Sequence, residues 1–275
     1  MILRHIADVA RHGAATNFTS TSMQYTPPPT ARAPLPLIVA LLALLTFLSI
    51  IVIALSGLGA RWGWWHYRTG FKVLSGGVIA TIAFAVLTLI AGALTAKLSR
   101  GRSMIVAAIT VAAGAAAVWM PITMSRQARR LPLIHDITTD PANPPVFVDV
   151  ISRRTGATNP VEYGGDTIAT KQRAAYPDIR PITVALPPAQ ALDRAEAVAR
   201  DMGWEVVAKD PASGRLEATD RTRWFGFYDD IVVRVRPQEP GGGSRVDVRS
   251  LSRVGRSDVG MNAKRIREFS RRLQS

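Results

Sequence analysis

Residues 35–55 read LPLIVALLALLTFLSIIVIAL. No Asp, Glu, Lys or Arg interrupts them, and the charge-free run extends over 33–60. At a helical rise of about 1.5 Å per residue, roughly 20 apolar residues cross the hydrocarbon core of a bilayer. Two more charge-free runs follow, 73–96 and 103–125. The spans expected are Leu35–Leu55, Leu74–Ala96 and Met104–Met120. Buried helices of a water-soluble protein usually carry a polar stripe, and none of these does. The first run also has a passable signal-cleavage site, Ala54-Leu55-Ser56. Its apolar core is too long for a typical signal and two spans follow, so an uncleaved signal-anchor is expected.

The charge balance makes sense around these spans. The chain has 275 residues, 34 Lys+Arg, 20 Asp+Glu and a net charge of +14. That is the balance of a nucleic-acid binder, yet 48% of the residues are hydrophobic. Residues 1–130 hold 12 basic residues and one acid, Asp8, whereas 131–275 hold 22 basic and 19 acidic residues. Most of the excess therefore belongs to the membrane front end, and no nucleic-acid partner is expected; nucleic-acid binding is the third reading, if the domain is cytoplasmic. With no cysteine in the chain, disulfides, thiolate catalysis and Cys-ligated zinc are excluded. The spans contain no ionisable residue, which speaks against a transporter or proton pump. Thr81, Thr88 and Thr95 recur every seven residues, and 112–117 read AAGAAA. Both patterns allow helices to approach closely.

Basic residues in short loops set orientation. Lys97, Arg100 and Arg102 crowd the second loop with no acid, which places that loop in the cytoplasm. The N-terminus is then inside and the C-terminal half outside, in a multi-pass protein of the inner (plasma) membrane. Arg61, Arg68 and Lys72 around the first loop, and Arg126, Arg129 and Arg130 after span three, oppose this. Trp62, Trp64, Trp65 and Tyr67 form an interfacial aromatic belt, with Trp119 its counterpart on span three. A lipid or quinone headgroup site is the alternative use of 62–67. Residues 1–34, rich in Ser, Thr and Pro, read as a disordered tail, with Met23 an alternative start. The domain plan is thus a tail over 1–34, a three-helix membrane region over 35–125, an extended Pro-rich connector over 126–180 and an α+β domain over 181–275.

In that last domain Ile182, Val184 and Leu186 alternate as a strand. Pro187-Pro188 opens a helix with Ala191, Ala195, Val198 and Met202 on one face and Gly203 at its end. Strands follow at Trp204–Lys209 and Arg215–Arg221, joined by an Asp210–Gly214 turn. Ile231, Val233 and Val235 alternate with polar positions, as do Val246 and Val248 beyond the Pro240–Gly243 turn. They form a hairpin with one apolar and one charged face. The last element is a helix capped by Ser257 or Asp258, with Val259, Ala263, Ile266, Phe269 and Leu273 inward. The fold class is therefore three transmembrane α-helices followed by an α+β domain of order β-α-β-β-β-β-α. Its antiparallel sheet carries two helices on one face, and its element order resembles helix-grip or TATA-binding-protein-like layouts.

The stretch His135–Asp140 with Asn143-Pro144-Pro145 resembles the opening of the domain-of-unknown-function 1499 family. So do Met202-Gly203-Trp204, Phe225-Gly226-Phe227 with Asp229-Asp230, and Asp247–Asp258 followed by Asn262 and Arg265. The resemblance covers roughly half the chain, 135–273. It implies an envelope-associated domain in a bacterium or plastid, of unestablished activity, and brings no catalytic residues.

Two candidate sites stand out. Arg249, Ser252, Arg253, Arg256, Asp258, Asn262 and Arg265 concentrate polar groups where the last strand runs into the final helix, and could hold an anion. The alternative is capping by Ser257 or Asp258 with Arg–Asp pairing to Asp229 or Asp230. His135, Asp136 and Asp140 offer metal ligands within six residues, at a spacing matching no strong motif. They would serve a metal-assisted hydrolase. A serine hydrolase lacks its nucleophile elbow, since no Gly-x-Ser-x-Gly occurs. Trp224, Phe225, Phe227 and Tyr228 read as core and sheet-end packing. The expectation is a membrane-anchored, non-enzymatic envelope protein with no cofactor. It would contact membrane lipids and bind an envelope protein partner or an anionic lipid or glycan.

Overall fold

A computed structural model describes residues 35–275 apart from Gly241. The expected tail over 1–34 and the alternative start at Met23 lie outside the described residues.

Three helices open the structure: α1 (Leu35–Arg61), α2 (Tyr67–Thr95) and α3 (Arg102–Arg130). All three are long and apolar enough to cross a membrane. Most of their large side chains, among them Leu37, Ile79, Leu94, Ile105 and Ile109, point outward, with Val39, Ile53 and Val118 buried. Small and hydroxyl residues lie inside. Gly77, Thr81, Ala85, Thr88, Gly92 and Thr95 of α2 are buried, as are Ser103, Ala107, Thr110, Gly114 and Val118 of α3. The Ser49 and Thr81 hydroxyls meet at 2.8 Å between α1 and α2. A Cβ on Gly92 would lie 2.7 Å from that of Ala107, so the α2–α3 contact requires glycine there. The threonine pattern and Gly114 thus serve packing within the bundle, whereas Ala112, Ala113, Ala115 and Ala116 face outward.

The C-terminal domain is built on a six-stranded antiparallel sheet of order β1-β6-β5-β4-β3, with β2 also on β6. The strands are β1 (Asp136–Thr138), β2 (Ile182–Val184), β3 (Glu205–Asp210), β4 (Arg215–Arg221), β5 (Tyr228–Pro237) and β6 (Ser244–Ser252). Three helices accompany it: α4 (Gly165–Ala175), α5 (Pro188–Asp201) and α6 (Met261–Gln274). The short strands β1 and β2 share one edge of β6, pairing with Arg249–Leu251 and Ser244–Val246 respectively. Helices α5 and α6 cover one face. Leu216, Ala218, Ile231, Val233, Val246 and Val248 meet Leu192 and Val198 of α5 and Ile266 and Phe269 of α6. Trp204 stacks on Phe269 with ring centroids 5.3 Å apart.

The stretch expected as an extended connector is structured. Helix α3 runs through Arg130, and β1, a 3-10 turn at Asp149–Arg153 and α4 follow. Three residues of β1 are too few to show a period, and α4 (GDTIATKQRAA) has one large aliphatic, Ile168, so it carries no readable stripe. Gln172 of α4 seals the outer edge of β1, accepting from the Thr138 N–H at 2.9 Å and donating to its carbonyl at 2.6 Å.

The charged face of the sheet is buried as well. Phe147 and Val150, in the segment between β1 and α4, pack on Val232 and Leu251. Beneath that segment Glu217, Asp230 and Asp247 are fully buried and Arg249 is nearly so. The strand parity read from the sequence holds; the expected solvent on that face is replaced by chain.

Candidate functional site

The β4–β5 loop, residues 222–227, reaches the membrane helices. The Trp224 indole N–H donates to the Ala54 carbonyl of α1 at 3.0 Å. Its ring lies over Gly57, where a Cβ would come within 2.5 Å. Arg61, the last residue of α1, donates to the Thr222 and Arg223 carbonyls at 2.7 and 3.2 Å. Arg221 returns a bond to the Arg61 carbonyl at 2.7 Å. Phe225 packs on Phe71 of α2 at 4.7 Å, and Phe227 on Tyr67 at 5.5 Å. Gly226 adopts φ +71° between them, a conformation open to glycine. The aromatic run expected to pack within the domain instead packs on the α1–α2 hairpin. A second bond links Gln127 of α3 to the Val259 carbonyl at 3.1 Å. Helices and domain form one compact unit.

A cleft of about 350 Å³ opens at this junction. Ala60, Trp65, His66 and Tyr67 form its membrane wall and Phe225–Tyr228 its base. Thr155, Gly156, Ala157, Arg253 and Val254 form the domain wall. The Tyr228 ring lies under two guanidiniums, those of Arg221 and Arg253, each 5.0 Å from its centroid.

The residues of the expected anion cluster divide between the two faces of the sheet. On the helix face Asn262 donates to the Ser252 hydroxyl at 3.1 Å and to the His135 carbonyl at 2.9 Å. Arg265 pairs with both Asp220 and Asp229 at 2.7 Å. It also donates to the Ser250 hydroxyl at 3.0 Å. Asp258 accepts from the N–H groups of Gly260 and Asn262, at 3.0 and 2.7 Å, at the start of α6. Burial pushes its carboxyl above the usual carboxylate value, and the Asp229 charge adds to the rise. On the opposite face Arg249 grips Asp136 at 3.0 and 2.7 Å and donates to the Pro145 and Val161 carbonyls. It stacks near Phe147 and Tyr163, so its function is to pin the covering segment to the sheet. Burial, followed by the Asp136 charge, pushes the Tyr163 hydroxyl up to about 12. Arg253 pairs with Asp230 at 2.8 Å. Arg256 is exposed. These contacts realise the Arg–Asp pairing alternative, and one shared anion site over all seven residues does not form. Strand alternation sends Arg249 and Ser252 to opposite faces.

The metal trio does not assemble either. Asp136 is held by Arg249, whereas Asp140 binds Arg234 at 3.1 Å and Arg245 at 2.9 Å. Among the described residues no three His, Asp or Glu side chains form a group that could hold a metal ion. His135 immediately precedes Asp136, the first residue of β1, and successive side chains of extended chain diverge. Burial raises the Asp136 carboxyl, with Arg249 opposing.

Ion pairing is uneven along the molecule. Arg154, Arg215, Arg234, Arg249, Arg253 and Arg265 all meet carboxylates. Among the described residues Arg61, Arg68, Lys72, Arg126, Arg129, Arg130, Arg221 and Arg223 have no carboxylate within 4.0 Å. All eight lie at the domain-side ends of the membrane helices or on the loop that docks there. Sequence reasoning named most of them as orientation signals. It missed that Arg221 and Arg223 join them, because only the docked loop brings those two to the membrane end.

Residues 136–273 match the family described as "Protein of unknown function (DUF1499)". No curated protein matches the chain.

Proposed function

The chain belongs to the DUF1499 family of proteins of unknown function, and from that premise we propose that it is a membrane-anchored, non-enzymatic envelope protein whose domain engages anionic lipid at the bilayer surface. The carrying observation is the collar of cations without carboxylate partners at the junction, set beside the exposed Trp62 and Trp64. Elsewhere in the domain most arginines are neutralised by neighbours. Cations left free at headgroup depth gain attraction from anionic lipid, about 1 kcal/mol each. Trp side chains favour that same depth.

In a bacterial cell the domain would lie on the periplasmic side of the inner membrane. The second loop and the N-terminal segment together carry Arg4, Arg11, Arg32, Lys97, Arg100 and Arg102. Arg61, Arg68, Lys72, Arg126, Arg129 and Arg130 equal them on the domain side. The second loop is very short and holds Lys97, Arg100 and Arg102 with no acid, which favours the cytoplasm for it. A reporter enzyme fused after Ser275 and active only in the periplasm tests this; activity only in the cytoplasm refutes it.

Lipid preference is tested with the full chain in nanodiscs of mixed phosphatidylglycerol and phosphatidylcholine. Native mass spectrometry should find phosphatidylglycerol enriched on the protein. The triple variant Arg68→Ala, Lys72→Ala, Arg223→Ala should lose most of that enrichment. Equal retention of both lipids by the wild type would refute the reading, as would enrichment unchanged in the variant. A co-purifying stoichiometric protein in place of lipid would point to a scaffold.

A further inference from the structure

We infer that the junction cleft is a discrete site for the phosphate head of one anionic membrane lipid, distinct from the diffuse collar around it. The inference rests on the lipid reading above for the depth at which the cleft lies, and goes beyond it in assigning one site with one occupant.

Charge favours an anion in the cleft. Asp230 is fully buried and receives two guanidiniums, from Arg154 and Arg253. Both arginines are largely buried, so, while the Arg265–Asp220–Asp229 group carries an excess negative charge on the helix face, this triad carries an excess positive charge on the cleft side of the sheet. Such a charge is costly inside a protein unless an anion approaches it. Arg253 is the member that lines the cleft.

Arg253 also has a donor to spare. A guanidinium has five N–H donors. In Arg253, Nε and Nη2 are turned to Asp230 and Thr219, and Nη1 donates once, to the Arg153 carbonyl at 2.7 Å. One Nη1 proton is left without a protein acceptor. Thr155, on the same wall, is exposed and adds a hydroxyl.

The rest of the lining favours a lipid over a free ion. Trp65, Tyr67, Phe225 and Phe227 make the opposite wall and base apolar and continuous with the membrane hairpin. A free phosphate ion gains nothing from that surface. A lipid places its phosphate against Arg253 and its glycerol and first methylenes against the aromatic rings.

The test uses the full chain in dodecyl maltoside, with dioctanoyl-phosphatidylglycerol, dioctanoyl-phosphatidylcholine and inorganic phosphate as probes in separate titrations. The phosphatidylglycerol should bind saturably at one per chain, at least ten-fold tighter than the phosphatidylcholine and a hundred-fold tighter than phosphate. Thr155→Trp and Ala157→Phe each place an aromatic side chain in the cleft from its loop wall. Each should weaken phosphatidylglycerol at least ten-fold, with the lipid-free thermal midpoint unchanged. Arg68→Ala with Lys72→Ala, which touches only the collar, should leave the single site intact. Absence of saturable binding by the wild type overturns the inference. So does undiminished binding in both filled variants, or phosphate binding as tightly as the lipid. Loss of lipid enrichment in nanodiscs with this one-to-one site retained would remove the collar alone.

Discussion

The indole N–H of Trp224 donates to the main-chain carbonyl of Ala54 across a sequence separation of 170 residues. One side chain from the tip of a hairpin in the extramembrane domain thus reaches inside the charge-free run that forms the first span. The bond fixes the domain against α1 and sets the aromatic junction around it. It also joins two signals, the aromatic belt and the Phe225-Gly226-Phe227 motif, that the sequence presents as unrelated.

The space for that indole is made by a missing side chain. Gly57→Leu would drive a Cβ to within 2.5 Å of the Trp224 ring, and the ring must leave. Forced overpacking of this kind costs about 1–3 kcal/mol. The full chain in detergent should show a lower thermal midpoint and a red-shifted tryptophan emission. Gly76→Leu, at a position with nothing within 4 Å of its Cβ, should change neither.

Arg249 is the staple of the buried charged face. Arg249→Ala leaves Asp136 buried without its guanidinium, a loss of about 3–5 kcal/mol. The covering segment, residues 139–163, should become the first site of limited proteolysis. Arg249→Lys retains the charge and loses the two-pronged grip, so it should fall between wild type and alanine. A cleavage pattern unchanged in the alanine variant would refute the staple.

Gln172 completes the edge of β1 by pairing its amide with both main-chain groups of Thr138. Gln172→Ala leaves a buried N–H and a buried carbonyl without partners, at about 1–3 kcal/mol. Hydrogen exchange should speed up at the Thr138 amide. Gln172→Glu still accepts from that N–H but turns a carboxylate toward the Thr138 carbonyl, so its stability should recover as the carboxyl protonates at low pH.

Asp258 ties stability to pH. Its folded carboxyl is raised above the ordinary 3.8 by burial and by Asp229. The folded protein therefore keeps a proton that the unfolded chain has lost. This contribution is complete below 3.8 and disappears as pH rises through the raised folded value. Glu268 acts oppositely, since Arg271 and Arg272 hold its carboxyl down at about 2. Its contribution is present above 4.5 and is lost as pH falls toward 2. The midpoint of wild type relative to Asp258→Asn should thus be highest in acid and decline as pH rises. A difference that grows with pH would refute the assignment.

The spans, the strand parity on β5 and β6, and the inward faces of α5 and α6 were legible because each repeats a local period or a local absence of charge. Alternation alone assigned Arg249 and Arg253 to one face and Ser250 and Ser252 to the other. Exposure could not follow from it. Whether a charged strand face meets water depends on a segment elsewhere in the chain, here Phe147 and Val150, whose own sequence has no period. The same limit applied to the candidate sites. Arg265 sits with six other polar residues in the sequence cluster, yet its partners Asp220 and Asp229 come from two other strands. The cleft combines Trp65 with Phe225 and Arg253. Periodicity and charge-free length are properties of neighbouring residues, so the sequence by itself determined the anchor and the elements. Which charges are neutralised, and which stand open beside the membrane, was decided by contacts between different elements, 36 positions apart for Arg265 and Asp229, 76 for Arg154 and Asp230 and 113 for Arg249 and Asp136, and those exist only in the tertiary structure.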